Sequence, residues 1–200
     1  MWQFFIKGGV VMIPLLFCSI LALIIVIERI LFYSLHRSVK ENELVLLKRY
    51  LNQGKYDEAK ELVGDWRNSL GGPVVKILNQ WTKDQNLVEQ TAQNAGEEEL
   101  KVLQRGLSLL DTIVTASPLL GLLGTVTGII RSFTALSTVG GNQAVQLSAG
   151  IAEALYNTAF GLAIAIPALF FVNIFYGVTE RRVRELNCQI QEILAILHKG

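Results

Sequence analysis

The sequence predicts an all-α membrane protein with three transmembrane helices, its N-terminus outside and its C-terminus inside, and long cytoplasmic helical extensions. Three observations predict it. Apolar runs cover residues 8–27, 112–130 and 150–178, the first two uncharged and the third with Glu153 alone, and each meets the length of about 20 residues that a helix needs to cross a hydrocarbon core. Lys and Arg concentrate between Arg37 and Arg105 and again at Arg181, Arg182, Arg184 and Lys199, with none between Arg131 and Arg181. Basic segments stay on the cytoplasmic side, so this asymmetry orients the chain. The charged stretches, finally, carry apolar residues at helical spacing.

The organisation expected from these signals is residues 1–34 for an N-terminal segment and the first span, 35–105 for a cytoplasmic helical domain, and 106–138 for the second span. An outer loop at 139–149, the third span at 150–178 and a cytoplasmic amphipathic helix at 179–200 complete it. The first run is read as a retained helix: Lys7 alone is a weak basic flank, the run is too long for a signal peptide, and no small-x-small cleavage site follows. Pro14 is tolerated near its outer end, and Trp2 to Phe5 suit an interfacial anchor. NELVLLKRYLNQG and YDEAKELVGDWRNSL read as two amphipathic helices separated by Gly54, with Gly71-Gly72-Pro73 as a break. From there one helix is expected to run through EEELKVLQRGLSLLDTIVTASPLLGLLGTVTGIIRSF from cytoplasm into membrane.

Within the second span, Asp111, Thr115, Pro118, Leu122, Thr125, Ile129 and Ser132 share one small or polar face. Gly124 and Gly128 form a small-xxx-small pair that lets helices approach closely. Pro118 removes a backbone hydrogen bond and loosens the helix. The third span carries Glu153, Asn157 and Thr158, although an acidic group at mid-membrane costs about 2.5 to 3.5 kcal/mol. Ala154, Thr158, Gly161, Ala165 and Ala168 recur at offsets of four and three along one narrow face. Leu155, Leu162, Ile166, Leu169, Phe170 and Val172 are assigned to the opposite one. A helix with a small, partly polar stripe and a bulky back is a candidate pore wall. Beyond it, Val183, Leu186, Ile190, Ile193 and Leu197 form the apolar stripe of the C-terminal helix.

Other signals are bland. A net charge of +1 gives no hint of nucleic acid. Cys18 and Cys188 form neither a disulfide framework nor a metal site. His36 and His198 fall outside the spans, and Glu97, Glu98 and Glu99 read as a solvated helix face. No His, no carboxylate pair, no phosphate-binding loop and no HExxH occurs in the spans to support an intramembrane enzyme, and no cofactor is expected.

The order of one span, a basic cytoplasmic domain and two linked spans, with PLLGLLGTVTGIIRSF and GIAEALYNTAFGLAIAIPA, resembles the ExbB/TolQ/MotA proton-channel family. Three spans and this length are similar to ExbB or TolQ rather than to MotA, which has four. The resemblance implies a pentamer around a central pore that encloses the single helices of an ExbD- or TolR-type partner bearing a protonatable Asp, in the bacterial inner membrane. It also implies a TonB- or TolA-type protein as a further contact and mechanical work on the cell envelope as the outcome. It carries the pore role to Thr125, Thr158 and Glu153, and matches Pro118 and Pro167 to the motif prolines. Gly124, Gly128 and Gly161 are expected to pack the pore helices. Family members vary at Thr127 and Asn157, so no role is carried over there. Glu153 is the only acidic residue between Asp111 and Glu180, which leaves the titrating group to the partner. A non-conducting scaffold for partner helices is the alternative reading.

Overall fold

The computed structural model describes residues 9–35, 41–66, 68–81, 85–138 and 143–198. The expected anchor at Trp2 to Phe5, and His36, lie outside these residues. The described residues form seven α-helices: α1 Met12–Leu35, α2 Glu41–Asn52, α3 Tyr56–Gly64, α4 Gly71–Gln80, α5 Gln85–Leu103, α6 Leu107–Thr138 and α7 Gln143–Leu197. Three of them, α1, α6 and α7, contain stretches long and apolar enough to cross a membrane.

Local chemistry sets the helix ends. Gly9, at φ +69°, takes the left-handed conformation just before α1, and Pro14 falls in the first turn, where its missing N–H would have had no helical partner. Gly54, at φ +71°, closes the α2–α3 turn. Gly71, Gly72 and Pro73, expected as a break, instead form the first turn of α4. The Asn68 side chain accepts from the Leu70 and Gly71 amides at 3.0 and 3.1 Å and so starts the helix, while a proline in a first turn costs nothing.

The expected uninterrupted helix from the soluble region into the second span is corrected. The chain breaks between α5 and α6, where Gly106 adopts φ +78°, a conformation a helix cannot continue through. Conversely, the third span and the C-terminal helix are one element. α7 runs for 55 residues from Gln143, inside the stretch expected as a loop, because TERRVREL carries no glycine or proline to stop it.

The chain divides into two compact units. One comprises Arg29–Arg105 and the chain from Phe175. Its core joins Leu47 and Leu51 of α2, Ala59 and Val63 of α3, Val74 and Ile77 of α4, Val88 and Ala92 of α5, and Leu186, Ile190, Ile193 and Leu197 of α7. The apolar stripe read at the C-terminus is thus buried, with Val183 only half-buried at its start. Glu98 is fully exposed, and the Lys76 ammonium, by hydrogen bond and then by charge, holds its carboxyl below the ordinary value.

The other unit comprises α1 through Glu28 and Gly106–Ile174. Here the usual pattern inverts: Ala154, Ala165 and Ala168 are buried, while Leu155, Ile166 and Phe170 are 64 to 67% exposed. Small residues inside and large ones outside is how helices associate in lipid, where close backbone approach replaces the hydrophobic drive. Val172, assigned to the bulky side, is buried instead; it continues the register 154, 161, 165, 168 by one more four-residue step.

Candidate functional site: the seam between α6 and α7

Glycines let α6 and α7 meet backbone to backbone. A Cβ at Gly161 would lie 2.6 Å from the Ser117 carbonyl oxygen; one at Gly121 would lie 2.9 Å from the Asn157 carbonyl oxygen and 3.1 Å from the Thr158 Cα. One at Gly128 would lie 3.2 Å from the Ala154 Cβ, and at Gly150 it would collide with the Ser132 hydroxyl. The partners run in opposite order, 117 to 161 down to 132 to 150, so the helices are antiparallel. Gly124, Gly128 and Gly161 therefore sit in this seam, joined by Ser117, Gly121, Ser132 and Gly150, which the motif reading did not single out. Ser132, read as part of the small or polar face of the second span, is buried, and its hydroxyl donates to the Gly128 carbonyl at 2.9 Å.

Thr125 follows Gly124 on α6, and Thr158 follows Asn157 on α7. A one-residue step turns a side chain by about 100°, and in an antiparallel pair the same step moves both to the same side of the seam. Both threonines are half-buried. The Thr158 hydroxyl donates across the seam to the Gly121 carbonyl at 3.3 Å, and that of Thr125 donates to the Leu122 carbonyl of its own helix at 2.6 Å. With their protons committed, both hydroxyls offer lone pairs outward. Pro118, seven residues or nearly two turns before Thr125, lies on the same side.

Glu153 does not join them. It precedes Thr158 by five residues, about 140° around the helix. Its carboxylate pairs with Arg131 at 3.5 Å and lies against Gly9, at the start of α1. Pro167 is also on the α1 side, lining a cavity of about 300 Å³ with Ser19, Ala22, Phe160, Ile164 and Phe171. The three residues expected to form one proton path are thus divided: two threonines on one edge of the seam, the carboxylate in an ion pair on the other.

Asn157 is the residue that sequence reasoning passed over. It is 1% exposed, its carboxamide lodges against Gly124, and its Oδ1 has no hydrogen-bond partner. An unpaired buried acceptor costs about 1–3 kcal/mol. The signal available in sequence was an amide inside an apolar run.

In the unit that comprises Arg29–Arg105 and the chain from Phe175, Arg29, which directly follows the first apolar run, is 1% exposed. Its guanidinium donates to the Val102 and Leu103 carbonyls, both at 3.3 Å, and stands 4.4 Å from the Phe32 ring centre. These carbonyls belong to the last turn of α5, where a helix leaves acceptors without partners and favours a cation. Tyr33 donates to Leu103 O at 2.8 Å and shares a 2.8 Å hydrogen bond with the buried Thr179, and Arg182 donates to the Tyr33 carbonyl at 2.8 Å.

Three apolar helices, two of them sealed by glycine contacts with hydroxyls along the edge, define a multi-pass membrane protein whose polar groups line a helix seam. Residues 68–188 match the MotA/TolQ/ExbB proton channel family, and the chain belongs to that family, which is one of channels rather than enzymes. It is 34% identical over 203 residues to the ExbB-like 3 protein of Synechocystis sp., covering 96% of this chain and 93% of the relative. The ExbB-like 1 protein of the same organism is 36% identical over 185 residues, 90% of this chain and 72% of that protein. The Tol-Pal system protein TolQ of Pseudomonas aeruginosa is 41% identical over 101 residues, 50% of this chain and 44% of TolQ.

Proposed function

We propose that this chain is the channel subunit of a proton-driven motor in the bacterial inner membrane, with its N-terminus outside and its C-terminus in the cytoplasm. Five copies surround the single helices of an ExbD- or TolR-type partner, and the work passes to the cell envelope through a TonB- or TolA-type protein. Family membership supports the channel class. The observation that carries the site is the pair of threonine hydroxyls on one edge of the seam, each with its proton bound to a backbone carbonyl.

Such hydroxyls accept but do not titrate, so the charge-carrying group comes from outside the chain. They suit the protonated form of a carboxyl, whose O–H needs an acceptor, and offer nothing to a bare carboxylate. Thr125 and Thr158 thereby favour the neutral partner Asp while its helix faces the seam. Glu153 ties α6 to α7 through Arg131 beside the start of α1, and its role is to hold that end together. Each proton crossing 100 mV releases about 2.3 kcal/mol, which several coupled protons multiply.

The test is proton flux in vesicles containing the complex with its Asp-bearing partner. Thr158→Ala should lower flux several-fold, to about tenfold, the worth of one hydrogen bond, while the partner still copurifies. Unchanged flux refutes the assignment. A wild-type complex that assembles but passes no protons identifies a scaffold instead.

A further inference from the structure

We infer that Asn157 is a third acceptor on the conduction pathway, a residue that takes part directly through its side-chain carbonyl oxygen. This rests on the channel reading above and adds to it a group the family motif does not assign.

The starting point is an imbalance in the seam. Between Ser117 and Ser132, the other close contacts at the seam glycines are made by backbone, alanine or a hydroxyl whose proton is satisfied: Ser117 donates to the Ile113 carbonyl at 2.7 Å, Ser132 to the Gly128 carbonyl and Thr158 to the Gly121 carbonyl. Asn157 alone brings a carboxamide, and its Oδ1 is buried without a partner. Packing does not require an amide. Ala154 and Ala168, on the same face of α7, fill their places against the neighbouring helix as alanines. Gly124 leaves room for the carboxamide, since a Cβ at 124 would overlap the Asn157 side chain.

Its position gives the orphaned oxygen a use. Asn157 adjoins Thr158 in sequence and packs on Gly124, the neighbour of Thr125, so it lies between the two hydroxyls that face the partner. A proton or a protonated carboxyl arriving at these threonines meets hydroxyl oxygens that accept on either side of an amide oxygen that also accepts. The charged side chains nearest along the two helices, Arg131 and Glu153, are bound to each other on the α1 side, and Tyr156, the ionisable neighbour of Asn157, stands about 100° from it around α7. Asn157 is therefore the polar group available at the level of the threonines, and it supplies the strongest neutral acceptor there. No bond forms or breaks at the amide; its oxygen accepts a hydrogen bond from the group that carries the proton, and the proton stays on that group.

The experiment compares Asn157→Ala, Asn157→Asp and Thr158→Ala in the complete complex with its partner, in vesicles under an imposed proton gradient across external pH 5 to 8. Asn157→Ala removes the acceptor and leaves a residue the seam already accommodates; flux should fall about fivefold with partner copurification unchanged. Asn157→Asp keeps the shape and the acceptor and adds a titrating group, so it should conduct with an extra step in its flux–pH profile. Flux in Asn157→Ala equal to that of the unsubstituted complex overturns the inference. So does an Asn157→Asp profile without the extra step, because an amide that only packs gives an aspartate cut off from the path. This second readout stands even where the alanine variant loses assembly. Thr158→Ala separates the two levels: if its flux is also unchanged, the pore reading itself fails, and if it alone loses flux, only the role of Asn157 fails.

Discussion

Replacing Gly161 by alanine tests whether the α6–α7 seam is a backbone contact. The new Cβ would stand 2.6 Å from the Ser117 carbonyl oxygen and 3.2 Å from the Gly121 Cα. The first distance is about 0.8 Å short of the 3.4 Å where ordinary van der Waals contact begins, and both neighbours are backbone, which cannot rotate away. The helices must separate, and overpacking of this kind costs about 1–3 kcal/mol. Alanine also gains helix propensity over glycine, up to about 1 kcal/mol, so a second glycine of the same helix is needed to remove that contribution. Gly177 serves, because a Cβ there meets nothing within 4 Å. The difference between Gly161→Ala and Gly177→Ala isolates the clash, and for a chain of this size it corresponds to about 2 to 12 °C in unfolding midpoint. Thermal unfolding of both variants in one detergent reads it directly. Equal midpoints would sink the close-packed seam, and with it the placement of the two threonines on a common edge.

Two further perturbations address other contacts. Arg29→Met keeps the apolar stem and removes the donor from the Val102 and Leu103 carbonyls; with charge-assisted bonds worth about 1.5–3 kcal/mol, the unfolding midpoint should drop by several degrees, and an unshifted midpoint would show that α5 ends without this cap. For the ion pair, Arg131→Glu and Glu153→Arg should each weaken the assembly and the double exchange should recover it. The Arg131 side chain is 59% exposed, so the coupling should not exceed about 1 kcal/mol; a double variant worse than either single would show that the two charges do not act on each other.

The spans and the apolar stripe of the C-terminal helix were legible in sequence because length and period are local properties. Leu186, Ile190, Ile193 and Leu197 could only bury on one face, whatever covered it. Breaks were harder. Gly106 sits among strong helix formers, and a single glycine is tolerated inside many helices, so nothing local separates a tolerated glycine from one at φ +78°. The burial of Arg29 was not legible, because its reason, the end of α5, lies more than 70 residues away in sequence.

The same limit explains the division of the expected proton path. Glu153 and Thr158 stand five residues apart in one motif, and the family resemblance gave both a pore role; the helix turns them about 140° from each other. The side of the seam each one faces is decided by Gly121, Gly124 and Gly128 of another helix, which fix where α7 touches α6. Those glycines select for Asn157 as well, since only a position opposite a missing side chain can hold a buried amide. A motif records which residues occur together, whereas a pathway depends on which of them share an edge. The glycine pattern on α6 therefore says more about the path than the acidic residue on α7 does.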